Sequence, residues 1–154
     1  MFFRSMMILA WALALAFAFA GRTPAASNRG GPVPGPVEAA VRRVVDGDTL
    51  VIRARIWLGQ TVETTVRIAG IDAPERRGRC ARERALARRA GERLEALLAG
   101  GRAVLRDVRY GKYAGRVLAR VATPEGVDVG TALIAEGLAR PYRGRRRRGW
   151  CGVE

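Results

Sequence analysis

Two runs of strict apolar–polar alternation, Thr49–Trp57 and Thr61–Ala69, are separated only by Leu58-Gly59-Gln60. Successive side chains of a strand point to opposite faces, so this spacing specifies an antiparallel hairpin with one buried face. Leu50, Ile52, Ala54 and Ile56 share that face in the first run, with Arg53 and Arg55 opposite. Val62, Thr64, Val66 and Ile68 share it in the second. Val37–Val45 reads as a preceding strand that closes at the turn Asp46-Gly47, giving a three-stranded meander.

The period then changes. Gly70–Arg79, broken by Pro74 and Gly78, is a loop, and Cys80–Ala99 has helical spacing. Leu86, Ala90, Leu94, Leu97 and Leu98 form its apolar stripe, with Arg82, Arg89, Glu92 and Arg93 on the solvent side. Gly100-Gly101 ends the helix. Arg102–Val108 and Arg116–Ala122 are a fourth and fifth strand, Val129–Gly137 is a short helix, and the chain from Arg140 is an irregular basic tail. This order defines a mainly β protein with helices (α+β): a five-stranded Greek-key barrel of the OB-fold type, with one helix after the third strand and a short C-terminal helix.

Residues 1–20 stand outside that domain. Arg4 precedes the apolar run Met6–Ala20, and Ala18-Phe19-Ala20 is a small-x-small cleavage pattern, so the segment reads as a secretory signal peptide. An uncleaved anchor is the other reading. After cleavage no stable membrane insertion is expected. Residues 21–36, rich in Gly and Pro, read as a flexible linker, 37–142 as the domain and 143–154 as a basic tail. An exported cysteine pair, Cys80 and Cys151, points to a disulfide, with two free thiols as the alternative.

The chain has 28 basic and 14 acidic residues, a net charge of +14, and no histidine. Such a field attracts polyanions, nucleic acid and acidic envelope surfaces foremost. Without histidine, imidazole base chemistry, Ser-His-Asp hydrolysis and His-ligated zinc are excluded. Two acidic segments therefore stand out: Val44-Val45-Asp46-Gly47-Asp48-Thr49, and Arg67-Ile68-Ala69-Gly70-Ile71-Asp72-Ala73-Pro74-Glu75. Adjacent strands bring Asp48 and Asp72 together, and two carboxylates with a backbone carbonyl and water make a hard oxygen site suited to Ca²⁺ or Mg²⁺. Asp46 supports the turn. Glu75 is spaced to face a water, and Arg67 and Arg116 are suited to phosphate. Each motif alone is an ordinary turn, loop or solvated arginine; their co-occurrence at strand ends is what points to phosphodiester chemistry.

Val-Asp-Gly-Asp-Thr at 45–49, the Arg67–Glu75 segment, Gly115-Arg116 and Ala-Leu-Ile-Ala-Glu-Gly-Leu-Ala at 132–139 resemble the staphylococcal nuclease (thermonuclease) family over about Val41–Tyr142. The resemblance implies Ca²⁺ held by Asp48, Asp72 and the backbone carbonyl of Ala73, where the family often has threonine. It implies Glu75 as general base or water orienter and Arg67 and Arg116 as phosphate-binding arginines. It also implies cleavage of DNA and RNA to 3′-phosphate ends. Lys112, Tyr113 and Tyr142 match substrate-contacting positions loosely, because Ala114 intervenes before Gly115-Arg116 and Tyr142 is offset by about a residue. The family's long C-terminal helix is replaced by Arg143 and Arg145–Arg148, read either as a nucleic-acid track or as a solvated tail. Trp57 and Trp150 read as packing residues.

The expectation is an exported, monomeric, Ca²⁺-dependent nuclease that favours single strands. A non-catalytic OB-fold binder, as in DNA uptake, and a basic protein on an acidic envelope surface are the alternatives.

Overall fold

The computed structural model describes residues 31–113 and 115–152. The expected signal segment, and the linker up to residue 30, lie outside the described residues. Five long strands, β1 (Val37–Asp46), β2 (Thr49–Trp57), β3 (Gln60–Ile68), β5 (Arg102–Tyr110) and β6 (Arg116–Ala122), close into a barrel in the order β1-β2-β3-β6-β5, with β5 pairing back onto β1. All neighbours are antiparallel except β3 and β6. Helix α1 (Ala81–Leu97) follows a short strand β4 (Ile71–Asp72), and α2 (Val129–Ala135) leads into β7 (Arg140–Pro141). The mainly β, OB-type barrel is therefore as the sequence specifies.

Leu50, Ile52, Val66 and Ile68 fill the barrel with Leu105 and Val121, and Leu94 and Leu133 bring both helices onto it. Burial of each such side chain contributes about 2 kcal/mol. The helix buries Ala87, Ala90, Gly91 and Leu94, so its seam is narrower in side-chain volume than the leucine stripe implies. Small residues there let α1 approach the β1–β2 turn.

The alternation overestimates the length of the buried face. Ile56 and Val62 are exposed, and Trp57 and Leu58 are 70% and 87% exposed. The β2–β3 hairpin runs past the barrel rim, where there is no opposing layer to cover it. Trp57 is thus not a packing residue, whereas Trp150 is buried. Upstream of β1, Val33 exchanges two 2.8 Å backbone hydrogen bonds with Val108, so ordered pairing begins before residue 37.

The sequence pattern gave no sign of the second sheet. In it β4 pairs antiparallel with β7, setting Asp72 opposite Arg140. Strands of two residues are too short for periodicity to register. This small sheet folds the C-terminal segment back beside the Asp72 loop.

Candidate active site

The site begins at the turn that links β1 to β2. Asp46 pairs with Thr49, leaving Gly47 and Asp48 as the turn. The Asp48 carbonyl accepts the Ile68 N–H at 2.8 Å, locking the turn to the end of β3. Gly70, at φ +82°, then reverses the chain into β4 and returns Asp72 to the same place. A Cβ on Gly47 would lie 2.6 Å from the Ala90 Cβ and 3.0 Å from the Ala73 Cβ. Glycine is thus what lets the Asp48 turn, α1 and the Asp72 loop meet.

Asp48 and Asp72 are 4% and 5% exposed. The Thr49 hydroxyl donates to Asp48 Oδ1 at 2.8 Å, and the Ala73 amide N–H donates to Asp48 Oδ2 at 3.2 Å. The contact of Ala73 with the aspartate is through its N–H. Arg67 spans both acids: Nη1 lies 2.7 Å from Asp48 Oδ2, and Nη2 lies 3.6 Å from Asp72 Oδ1 while donating to the Ile71 carbonyl at 3.4 Å.

Burial pushes the Asp72 carboxyl above its ordinary range; Arg147 opposes the shift, Asp48 adds to it and Arg67 opposes it. Burial also raises the carboxyl of Asp46, reinforced by Asp48 and opposed by Arg76. The Oδ1 atoms of Asp46 and Asp72 are buried without a hydrogen bond. Buried carboxylate oxygens left so carry a desolvation cost that a cation offsets.

Arg116 stands on β6 opposite Thr65, one same-face step from the Arg67–Leu118 pair. Its guanidinium is 5.8 Å from the centre of the exposed Tyr113 ring, and Lys112 Nζ is 5.9 Å from it. Among the described residues Arg116 forms no ion pair with a carboxylate. Half-buried Tyr142 donates its backbone N–H to the Gly70 carbonyl at 2.8 Å, beside the Asp72 loop.

The tail supplies what the sequence did not. Cys80 and Cys151 form a disulfide with their Cα atoms 5.9 Å apart, and the Arg140 guanidinium stacks 3.9 Å from the Trp150 ring centre. Between these fixed points Arg147 turns inward. Its Nε lies 3.0 Å from Asp72 Oδ1, and its Nη1 donates to the Glu75 carboxylate. The run 145–148 is therefore neither wholly a nucleic-acid track nor wholly a solvated tail. The pairing of cysteines carried the clue: Cys80 is five residues after Glu75 and Cys151 four after Arg147, so bridging them brings the two charges together.

The tail and the acidic loop enclose a cavity of about 470 Å³ lined by Asp72, Glu75, Arg77, Arg79, Arg147 and Trp150, among others. Asp72 and Glu75 on its wall offer hard oxygen ligands of the kind a divalent cation takes, and the Arg147 guanidinium stands against both. Among the described residues, the one trio of potential ligands in mutual reach is Cys80, Glu83 and Cys151, whose sulfurs are already joined. A cation at the aspartates would therefore rest on two carboxylates, completed by backbone oxygen and water.

A closed five-stranded barrel with buried aspartates, a glutamate and arginines gathered by the β1–β2 turn and the β4 loop defines an OB-type fold with a carboxylate–arginine cluster. The profile described as staphylococcal nuclease homologue matches residues 65–149, more than half of the chain, and the chain belongs to that family. No curated protein matches it. The matched segment contains Arg67, Asp72, Glu75, Arg116 and Arg147; Asp48 joins them through the fold.

Proposed function

We propose that this protein is an exported, Ca²⁺-dependent nuclease that hydrolyses phosphodiester bonds of DNA and RNA, favouring single strands and leaving 3′-phosphate ends. The observation that carries the reading is the pair of buried carboxylates Asp48 and Asp72, both bridged by Arg67, with Asp72 Oδ1 left without a hydrogen bond. Asp48 and Asp72, with the Ala73 carbonyl, would hold Ca²⁺, which supplies positive charge to a phosphate oxygen when bound. Arg67 and Arg116 bind the phosphate and offset the charge that grows on its oxygens. Glu75 orients a water and takes its proton as the oxygen attacks phosphorus. The bond from phosphorus to the 5′ oxygen breaks, and that oxygen takes a proton from solvent water and leaves as a hydroxyl. Lys112, Tyr113 and Tyr142 contact the neighbouring sugar and phosphate.

The disulfide supports an oxidising compartment, consistent with export. Among the described residues no helix is long and apolar enough to cross a membrane.

One observation favours a non-catalytic nucleic-acid binder instead: Arg147 holds the Glu75 carboxylate. Glu75→Gln separates the two readings. The nuclease reading expects cleavage of single-stranded DNA to fall by at least about 100-fold with binding retained. Equal cleavage by both forms removes Glu75 from the chemistry, and binding without cleavage by the wild type favours the binder.

A further inference from the structure

Arg147 puts a positive charge where the proposed cation needs its ligands. It touches Asp72, a proposed ligand, and Glu75, the proposed water-facing group, with one guanidinium. Its contact with Asp72 is imperfect. Nε is 3.0 Å from Oδ1, yet that oxygen has no hydrogen bond, so the approach is oblique. The buried Nε1 of Trp150 likewise makes no hydrogen bond of good geometry. The carboxylate is therefore neutralised without being saturated, which is the state a better cation displaces.

Three restraints hold the guanidinium there. The Cys80–Cys151 bond anchors the chain four residues beyond it. Arg140 grips the same segment by stacking on Trp150 and by donating to the Gly149 carbonyl at 3.1 Å. The third restraint is the pairing of β7 with β4, which returns the chain to Asp72. A tethered charge acts at an effective concentration that a free ion in solution must overcome.

We propose that Arg147 is an internal counter-ion that competes with the divalent cation for Asp72, while its hold on Glu75 keeps it in place, and so sets the metal concentration at which the site fills. The proposal rests on the metal-site reading above. Binding expels the guanidinium, and apparent affinity is reduced by the fraction of molecules in which the site is free of it. Arg67 is not equivalent: it lies closest to Asp48, from the barrel strand that forms the floor of the site.

The test is calorimetric titration of Ca²⁺ into the oxidised wild type, Arg147→Gln and Arg145→Gln, with folding checked by circular dichroism. Both variants lose one charge, but Arg145 makes no ion pair with the carboxylates among the described residues. Arg147→Gln is expected to bind Ca²⁺ roughly tenfold more tightly, the loss of about one charge-assisted contact, and Arg145→Gln within about twofold of wild type. Equal affinity in all three, weaker binding by Arg147→Gln, or an equal gain in both variants overturns the proposal. Absence of binding in all three overturns the metal-site reading itself, a result distinct from unequal occupancy.

Discussion

Arg67 sets its Nη1 2.7 Å from Oδ2 of Asp48, and the two side chains are 14% and 6% exposed. The pair joins β3 to the turn before β2, so it is structural as well as chemical. Removing one member of a buried pair leaves the other charged without compensation. Arg67→Met is therefore expected to lose about 3 kcal/mol of stability in urea titrations with EGTA present. Ca²⁺ restores part of that loss, because it takes over the neutralisation of the two aspartates. A stability equal to wild type in EGTA contradicts the coupling.

Gly47 is the contact point of the Asp48 turn, α1 and the Asp72 loop. Gly47→Ala drives a methyl into Ala90 and Ala73, both fully packed. Overpacking of this kind costs about 1–3 kcal/mol. Denaturant midpoints check the cost. The same variant is expected to weaken Ca²⁺ binding, because the turn carries Asp48.

Asp128 caps α2, accepting the Thr131 N–H at 2.8 Å, and pairs with Arg120 at 3.2 Å. Burial works against its charge, but the Thr131 amide and hydroxyl and Arg120 together hold the carboxyl below its ordinary value. A carboxyl depressed in the folded state stabilises above its unfolded value, and the gain is lost as pH falls through the folded one. The wild type should thus exceed Asp128→Ala by about 1 kcal/mol at neutral pH. That advantage shrinks as the pH drops below the ordinary value of 3.8. Thermal melts at pH 7 and pH 3 report both.

The Cys80–Cys151 bond closes a loop of 71 residues in sequence separation. Chain entropy assigns it about 4 kcal/mol. Reduction by a dithiol is expected to lower the urea midpoint and steepen the slope, because the reduced unfolded chain is less compact; an unchanged midpoint contradicts the assignment.

The barrel was legible because its strands alternate and its helix does not. Thr49–Trp57 and Arg116–Ala122 are bounded in the fold as in the sequence pattern. Alternation reports which side chains share a face, but not where an opposing layer ends, so Ile56 and Val62 read as buried and are exposed. Asp48, Asp72 and Arg67 were legible together because a hairpin fixes their proximity. Arg147 was not: its inward turn depends on a disulfide, a cation–π stack and a two-residue strand, contacts that leave no periodic trace. Only the spacing of Cys80 and Cys151 from Glu75 and Arg147 holds that information.

In the proposed nuclease, Asp48 and Asp72 hold the cation for phosphodiester hydrolysis. The most direct measurement of that role is digestion of single-stranded DNA by wild type and Asp72→Asn, with Ca²⁺ or with EGTA. Expected are 3′-phosphate products from the wild type in Ca²⁺ alone, and loss of cleavage of at least about 100-fold in Asp72→Asn. Equal cleavage in Ca²⁺ and EGTA, or by both forms of the protein, would contradict that role.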